Sequence, residues 1–260
     1  MTDIILAEDH DRVRVLSINR PDALNAMNNA VFQGIAEQLA EARESSQTAV
    51  VVITGVGKAF CAGQDLEEFQ VLAHGGSAEH EFPKMLKQLT NFKKPLIAAV
   101  NGLGVGIGMT MLAHCDLVLM AKDARLKTPF PQLGLAPEAG SSSTFIERMG
   151  WQNAAYTLLS GRWFNAMECL DMGLVWRLEE SVELMQNTLA VATELAANPI
   201  PSLVATKELM LASGRSHGAW AAHEREAKVY EKLLGAPANS EALAAFVEKR
   251  EANFSALPGI

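Results

Sequence analysis

Apolar residues along this chain fall into runs whose spacing predicts most of its elements. In RVRVLSI, residues 12–18, Val13, Val15 and Ile18 face one way at a period near two, which predicts a strand. After the turn Arg20-Pro21-Asp22, Val31, Phe32, Ile35 and Leu39 recur at helical spacing, with Asn28 or Asn29 as the cap. The unbroken run 49–54, AVVVIT, ends at Gly55 and predicts a fully buried strand, the kind found in parallel sheets covered by helices. In 57–69, GKAFCAGQDLEEF, a strand and turn give way to a helix capped by Asp65, with Glu67 and Glu68 at its positive end. Residues 73–80, AHGGSAEH, predict a mobile loop, and Phe82, Met85, Leu86 and Leu89 predict the helix after it.

The stretch 95–121, PLIAAVNGLGVGIGMTMLAHCDLVLMA, organises the rest: it reads as strand, glycine turn, short helix, strand. A proline-rich loop, 126–150, then runs into a helix starting among Ser141 to Thr144. From Trp151 the chain reads as mostly helical, with one short strand near Leu174 to Leu178. Pro199 and Pro201 mark a break, which divides the chain into a core domain, 1–200, and a helical region, 201–260. That region holds amphipathic helices near 201–213, 216–234 and 239–250. Their apolar positions, such as Trp220, Val229, Leu233 and Phe246, are too few for a core of their own, so they pack on the main domain or on a neighbouring subunit.

Composition narrows the partners. Nearly half of the 260 residues are apolar, yet no run reaches the ~18 residues of a membrane span, and the N-terminus has no basic flank before an apolar core. A soluble protein without a targeting segment is expected. A net charge of −8 without a basic stripe excludes nucleic acid as a partner. Cys61, Cys115 and Cys169 are odd in number and set among apolar residues, which fits buried thiols in the cytoplasm. The six histidines are scattered and nothing has metal-ligand spacing, so no metal is expected. Met109 and Met111 read as core filler.

The candidate chemistry lies in the glycine run. Gly102, Gly104, Gly106 and Gly108 alternate, so a ligand could lie against bare backbone while the following helix start points N–H groups at it. Such a turn suits a developing oxyanion; it equally suits a helix packed closely on a sheet. The dinucleotide fingerprint fails at Ile107 and Met109, and no Gly-Lys-Ser/Thr follows. A second strand-helix junction, at Ala62-Gly63-Gln64, would let a carbonyl oxygen be gripped from two sides, although Cys61 and Ala62 are also ordinary small core residues. Glu138 is the one acid between Asp123 and Glu147. Read alone it is a loop carboxylate of the ordinary solvated sort.

NRPDALNAM at 19–27, GKAFCAGQDL at 57–66 and AAVNGLGVGIGMTMLAHCDL at 98–117 resemble the crotonase, or enoyl-CoA hydratase/isomerase, superfamily, and the resemblance runs on to AAFVEKREANF near the C-terminus. It implies an α/β fold, a spiral of stacked ββα units, with C-terminal helices that assemble trimers or dimers of trimers. It also implies an acyl-CoA substrate, with coenzyme A entering as part of it and no separate cofactor. The backbone N–H groups of Gln64 and Ile107, flanked by Gly63, Gly106 and Gly108, would hold the thioester oxygen. Ala23 and Leu24 would lie near the pantetheine and Ala62 near the adenine, with Lys58, Phe246 and Lys249 as candidate nucleotide contacts.

The two glutamates of family hydratases would fall on Thr110 and Phe130, neither of which can move a proton as required. The stretch 128–142, TPFPQLGLAPEAGSS, resembles instead the peroxisomal-type Δ3,Δ2-enoyl-CoA isomerase branch, which places the catalytic base at Glu138 in a cleft formed by Phe130, Leu133 and Leu135. Another reaction of the superfamily, or a module that binds acyl-CoA without chemistry, is the alternative. One fold of this kind serves many reactions.

Overall fold

The computed structural model describes residues 3–73, 81–212 and 214–257. The loop expected at 73–80 lies outside them except for Ala73. β1 (Ile5–His10) and β2 (Val13–Ile18) form an antiparallel pair. In β2 the residues Val13, Val15, Leu16 and Ile18 are buried, as the alternation predicts apart from Leu16. β1 fully buries only Ile5, so no periodicity announces this edge strand.

α1 (Asn29–Glu44) is capped by Asn28, whose side chain accepts the Val31 N–H at 3.1 Å, and it turns Val31, Phe32, Ile35 and Leu39 inward. β3 (Val50–Gly55) is buried at every position. β4 (Ala59–Cys61) leads to α2 (Leu66–Ala73), where Asp65 accepts the Glu67 N–H as a cap should. α3 (Phe82–Thr90) follows with its predicted apolar face buried. The central stretch contributes β5 (Leu96–Val100), β6 (Leu103–Val105), α4 (Ile107–Thr110) and β7 (Leu117–Ala121). Met109 and Met111 are fully buried, and all three cysteines are free and buried.

β8 (Arg125–Lys127) precedes the proline-rich loop and α5 (Ser141–Ser160). α5 breaks at Gly150, whose φ of 75° is not helical. After it come β9 (Trp163–Asn165), α6 (Ala166–Asp171) and β10 (Arg177–Glu179). β10 lies slightly beyond the expected position because the N–H groups of Leu174 and Val175 are spent on the Cys169 carbonyl, closing α6.

α7 (Leu184–Ala196), α8 (Ile200–Ala212), α9 (Arg215–Leu233) and α10 (Pro237–Val247) complete the chain. Pro201 stands in the first turn of α8, where a missing N–H costs nothing. α9 packs against α5 and α3 and buries Ala219, Ala222, His223 and Glu226. Trp220 packs on the core, while Val229 and Phe246 stay exposed.

Two sheets result, a six-stranded one in the order β1-β2-β3-β5-β7-β10 and a four-stranded one in the order β4-β6-β8-β9. β3, β5 and β7 lie in the first sheet and their successors β4, β6 and β8 in the second, with helices between the pairs. The chain therefore climbs as a spiral of strand-strand-helix turns. Within both sheets these neighbours are parallel, which fits a core of near-continuous apolar strands. Among the described residues no helix is long and apolar enough to cross a membrane.

Candidate active site

Parallel pairing of β4 with β6 sets the two candidate oxyanion loops side by side, with Cys61 opposite Gly104. Past the strand ends, a Cβ on Gly108 would stand 2.4 Å from the Cys61 carbonyl oxygen, and one on Gly63 would stand 3.1 Å from the Val105 carbonyl oxygen. Backbones this close leave no room for side chains between the loops. Gly106 is needed for a different reason: its surroundings are open, but its φ of 54° with ψ of −117° is a conformation that L residues avoid. Gly102 and Gly104 are close-packing positions, against the Lys58 carbonyl and Leu126, so the alternating run serves two purposes.

The backbone bonding of the two loops leaves both candidate donors aside. Around Gln64 the Met27 N–H donates to Gly63 and the Asp65 N–H donates to Met27, a bridge that bypasses the Gln64 N–H. Ile107 opens α4, and the Met109 and Thr110 N–H groups close its first turn onto the Gly106 carbonyl. A first helical N–H has no carbonyl one turn earlier to bond.

Glu138 enters from the turn between the proline-rich loop and α5. Ala139 and Gly140 are consecutive left-handed residues, with φ of 60° and 72°, and they reverse the chain so sharply that Glu138 is presented just before the helix. Five ties hold the turn. Ser141 returns both its N–H and its hydroxyl to the Glu138 carbonyl, and His114 Nε2 lies 2.8 Å from the Ala139 carbonyl. From α9, the Glu226 carboxylate accepts the N–H groups of Gly140 at 2.6 Å and Ser142 at 2.8 Å.

The carboxyl of Glu138 accepts a 2.7 Å hydrogen bond from the Thr110 hydroxyl, on α4 three residues past Ile107. The candidate base and oxyanion donor are thus built on one frame. Burial pushes the Glu138 carboxyl up to about 8; the Thr110 bond works against that rise and the Glu226 charge adds to it. Burial, and then the Glu138 charge, also raise the Tyr230 phenol on α9. The Cys61 thiol is pushed up to about 12, mainly by burial, and so stays an inert neighbour of the oxyanion loops. The other nearby acids are occupied: Asp65 pairs with Arg20 at 2.9 Å, and Glu68 accepts the Asn29 N–H.

Of the remaining predicted residues, Leu24 and Ala62 are brought together, the Ala62 N–H donating to the Leu24 carbonyl at 3.0 Å. Ala23 closes the short turn beside them. Phe130 and Leu135 are buried and Leu133 half-buried, in a loop held to α10 by Asn239, which donates to the Leu133 carbonyl. Lys58 is exposed between β3 and β4, and Phe246 and Lys249 are exposed at the end of α10. No hydrogen bond or ion pair among the described residues fixes the Lys58 or Lys249 ammonium.

Thr110 and Glu226 were missed as functional candidates. Thr110 carried a signal, since the resemblance sets a hydratase glutamate at its position. Glu226 carried none, because its partners lie 84 and 86 residues away. Among the described residues, no cluster of histidines, cysteines and acids could hold a metal ion.

Comparison with known proteins bears on the whole chain. The family model described as enoyl-CoA hydratase/isomerase matches residues 8–256. The 2,3-dehydroadipyl-CoA hydratase of Escherichia coli (strain K12) is 31% identical over 254 residues, covering 98% of this chain and 99% of that protein. The 1,2-epoxyphenylacetyl-CoA isomerase of the same organism is 29% identical over 263 residues, covering 98% and 99%. The crystal structure of enoyl-CoA hydratase/isomerase from Pseudoalteromonas atlantica T6c superposes with a TM-score of 0.91 at 33% identity, covering 96% of this chain and 99% of that one. With sequence and fold in agreement along nearly its full length, the chain belongs to the enoyl-CoA hydratase/isomerase, or crotonase, family.

Proposed function

We propose that this protein is a Δ3,Δ2-enoyl-CoA isomerase that moves the double bond of a 3-enoyl-CoA to the 2-trans position with Glu138 as its base. The observation that carries this reading is the Glu138 carboxyl bonded at 2.7 Å to Thr110, on the short helix that opens at Ile107 beside the glycine-lined loops. Glu138 removes a proton from C2. The electrons flow into the thioester, and the enolate oxygen is held by the N–H groups of Gln64 and Ile107, each worth ~3 kcal/mol if removal costs match other oxyanion holes. The same carboxyl then returns the proton at C4 as the enolate collapses, leaving the conjugated 2-enoyl product.

Two features favour isomerisation over hydration. Adding water to a 2-enoyl-CoA calls for two groups working on that water, and Thr110 and buried Phe130 stand at the two positions that hydratases use. Glu226, the other acid beside the turn, spends both oxygens on backbone N–H groups. That one relative is named an isomerase and another a hydratase fits a shared scaffold with exchangeable acids. This mechanism calls for no metal or redox group.

Assembly as a homotrimer, or a pair of trimers, is part of the same reading. Trp151, Tyr156 and Leu159 on α5, Met167 on α6 and Trp176 all stand exposed, as residues awaiting a second copy would. Light scattering that finds a monomer at micromolar concentration sinks that part. Action in the cytoplasm is proposed from the three free, buried thiols.

The deciding experiment incubates the protein with 3-hexenoyl-CoA and follows the absorbance of the conjugated thioester, with mass spectrometry of the product. Conjugation without change of mass supports isomerisation. A parallel incubation with 2-hexenoyl-CoA separates the alternatives: a product heavier by one water from it, with 3-hexenoyl-CoA left unchanged, supports the hydratase reading, and no turnover of either leaves a non-catalytic acyl-CoA-binding module.

A further inference from the structure

We propose that Glu226 is the positioning residue for Glu138: from α9 it grips the backbone of the 139–142 turn and fixes where the Glu138 carboxyl stands. This rests on the reading of Glu138 as the base. Glu226 is only 6% exposed, and a buried acid is kept only where its oxygens are satisfied. Both are satisfied by the turn that carries Glu138: Oε2 accepts from Gly140 and Oε1 from Ser142.

An ordinary helix start needs no such help. Asn28 and Asn165 cap their own helices with local side chains. The cap residue of α5 is Gly140, which has no side chain to offer, and N–H groups at the helix start are met from α9 instead. The turn is also one the backbone resists, since Ala139 holds a left-handed conformation without being glycine. α9 passes directly over it, and a Cβ on Gly140 would stand 2.4 Å from the Ala219 carbonyl oxygen. A shift of α9 would therefore move the turn, and with it the carboxyl that meets Thr110.

Charge couples the two acids as well as geometry. The Glu226 charge favours the protonated form of Glu138. Around the pair lie Cys61 and Thr110 on the oxyanion side, His114 against the Ala139 carbonyl, and His223 and Tyr230 one turn to either side of Glu226 on α9. Burial lowers the His223 imidazole and raises the Tyr230 phenol, so both are neutral across the range in which Glu138 titrates.

The test compares wild type with Glu226→Gln and Glu226→Asp in two measurements. One is kcat and KM for 3-hexenoyl-CoA as a function of pH. The other is the protonation midpoint of Glu138 in unliganded protein, read by infrared difference against Glu138→Gln. Glu226→Gln should lower kcat about tenfold or more while KM stays within about threefold, and Glu226→Asp should recover part of the loss. In Glu226→Gln the Glu138 midpoint should move to lower pH. An unchanged kcat and midpoint overturn the proposal, and so does a kcat that falls only in proportion to folded protein while the midpoint stays put. If wild type does not convert 3-hexenoyl-CoA, the functional reading falls separately, and the infrared midpoint alone decides: unmoved, it overturns the role of Glu226.

Discussion

The Thr110 hydroxyl and the Glu138 carboxyl meet at 2.7 Å across the candidate active site, one from the helix behind the glycine turn and one from the loop before α5. A carboxylate at the Thr110 position would set two acids at that distance, where they would repel or share a proton. Threonine replaces that repulsion with a donor. The hydroxyl favours the charged form of Glu138, which partly offsets the burial that disfavours it.

Thr110→Val should therefore shift activity along the pH axis as well as reduce it. Losing the donor removes the influence that lowers the Glu138 pKa, so the acid limb of the kcat/KM profile, which reports the unliganded enzyme, should move to higher pH than in wild type. At neutral pH kcat should fall by about tenfold, partly through less ionised base and partly through a carboxyl free to rotate. Thr110→Ser, which keeps the hydroxyl, should behave nearly as wild type. Rate profiles of the three proteins with 3-hexenoyl-CoA check this; a valine variant with an unshifted limb contradicts it.

Glu138→Gln keeps the size and the acceptor oxygen but removes the base. Acyl-CoA should bind with nearly unchanged affinity while isomerisation falls by ~10²–10⁴-fold. Calorimetric titration with hexanoyl-CoA, beside the turnover assay, separates the two. Near-native turnover would send the search to another group.

Much of the frame was legible because it rests on local rules. The buried run that became β3 and the spaced apolar residues of α1 need no partner to be recognised. The short strands β6, β8 and β9 were not, since three residues cannot display a period and their pairing is supplied by neighbours far along the chain. The site divides in the same way. Gln64, Ile107 and Glu138 could be proposed from motifs, whereas Glu226 sits among the charges of an unremarkable helical segment, HEREAKVYEK, and only the fold brings it to Gly140 and Ser142.

The oxyanion loops should be intolerant of side chains at Gly106 and Gly108 for two distinct reasons. Gly108→Ala drives a Cβ into the Cys61 carbonyl, so β4 and α4 must part and the Ile107 N–H is displaced; turnover should fall by about 10²-fold or more. Gly106→Ala meets no neighbour, yet it forces alanine into a glycine-only conformation at a cost on the order of 1–3 kcal/mol, so stability should drop along with turnover. Gln64→Ala should change kcat by less than about threefold, because the proposed donor there is backbone. Turnover and thermal melting of the three variants test the scheme. An inactive Gln64→Ala beside two active glycine variants would falsify it.

The raised pKa that would make Glu138 a base near neutrality should also make it a liability to the fold. The carboxyl goes from an ordinary value of 4.5 to about 8 on burial, so between those values the folded protein holds a proton that the unfolded chain has lost. Stability must then fall as pH rises through that window and level off above it. Glu138 costs the fold nothing below about pH 4.5 and most above about pH 8, where its charge stays buried; the full cost is on the order of a few kcal/mol. Glu138→Gln has no charge to bury and its amide oxygen can still accept from Thr110. The variant should therefore melt close to wild type at about pH 4.5 and progressively above it toward about pH 9, the difference widening through the window. Melting curves of both proteins across that range supply the check. A difference that is constant with pH, or that shrinks as pH rises, would mean that the Glu138 carboxyl is not held in a desolvated site and would remove the physical basis for its role as base.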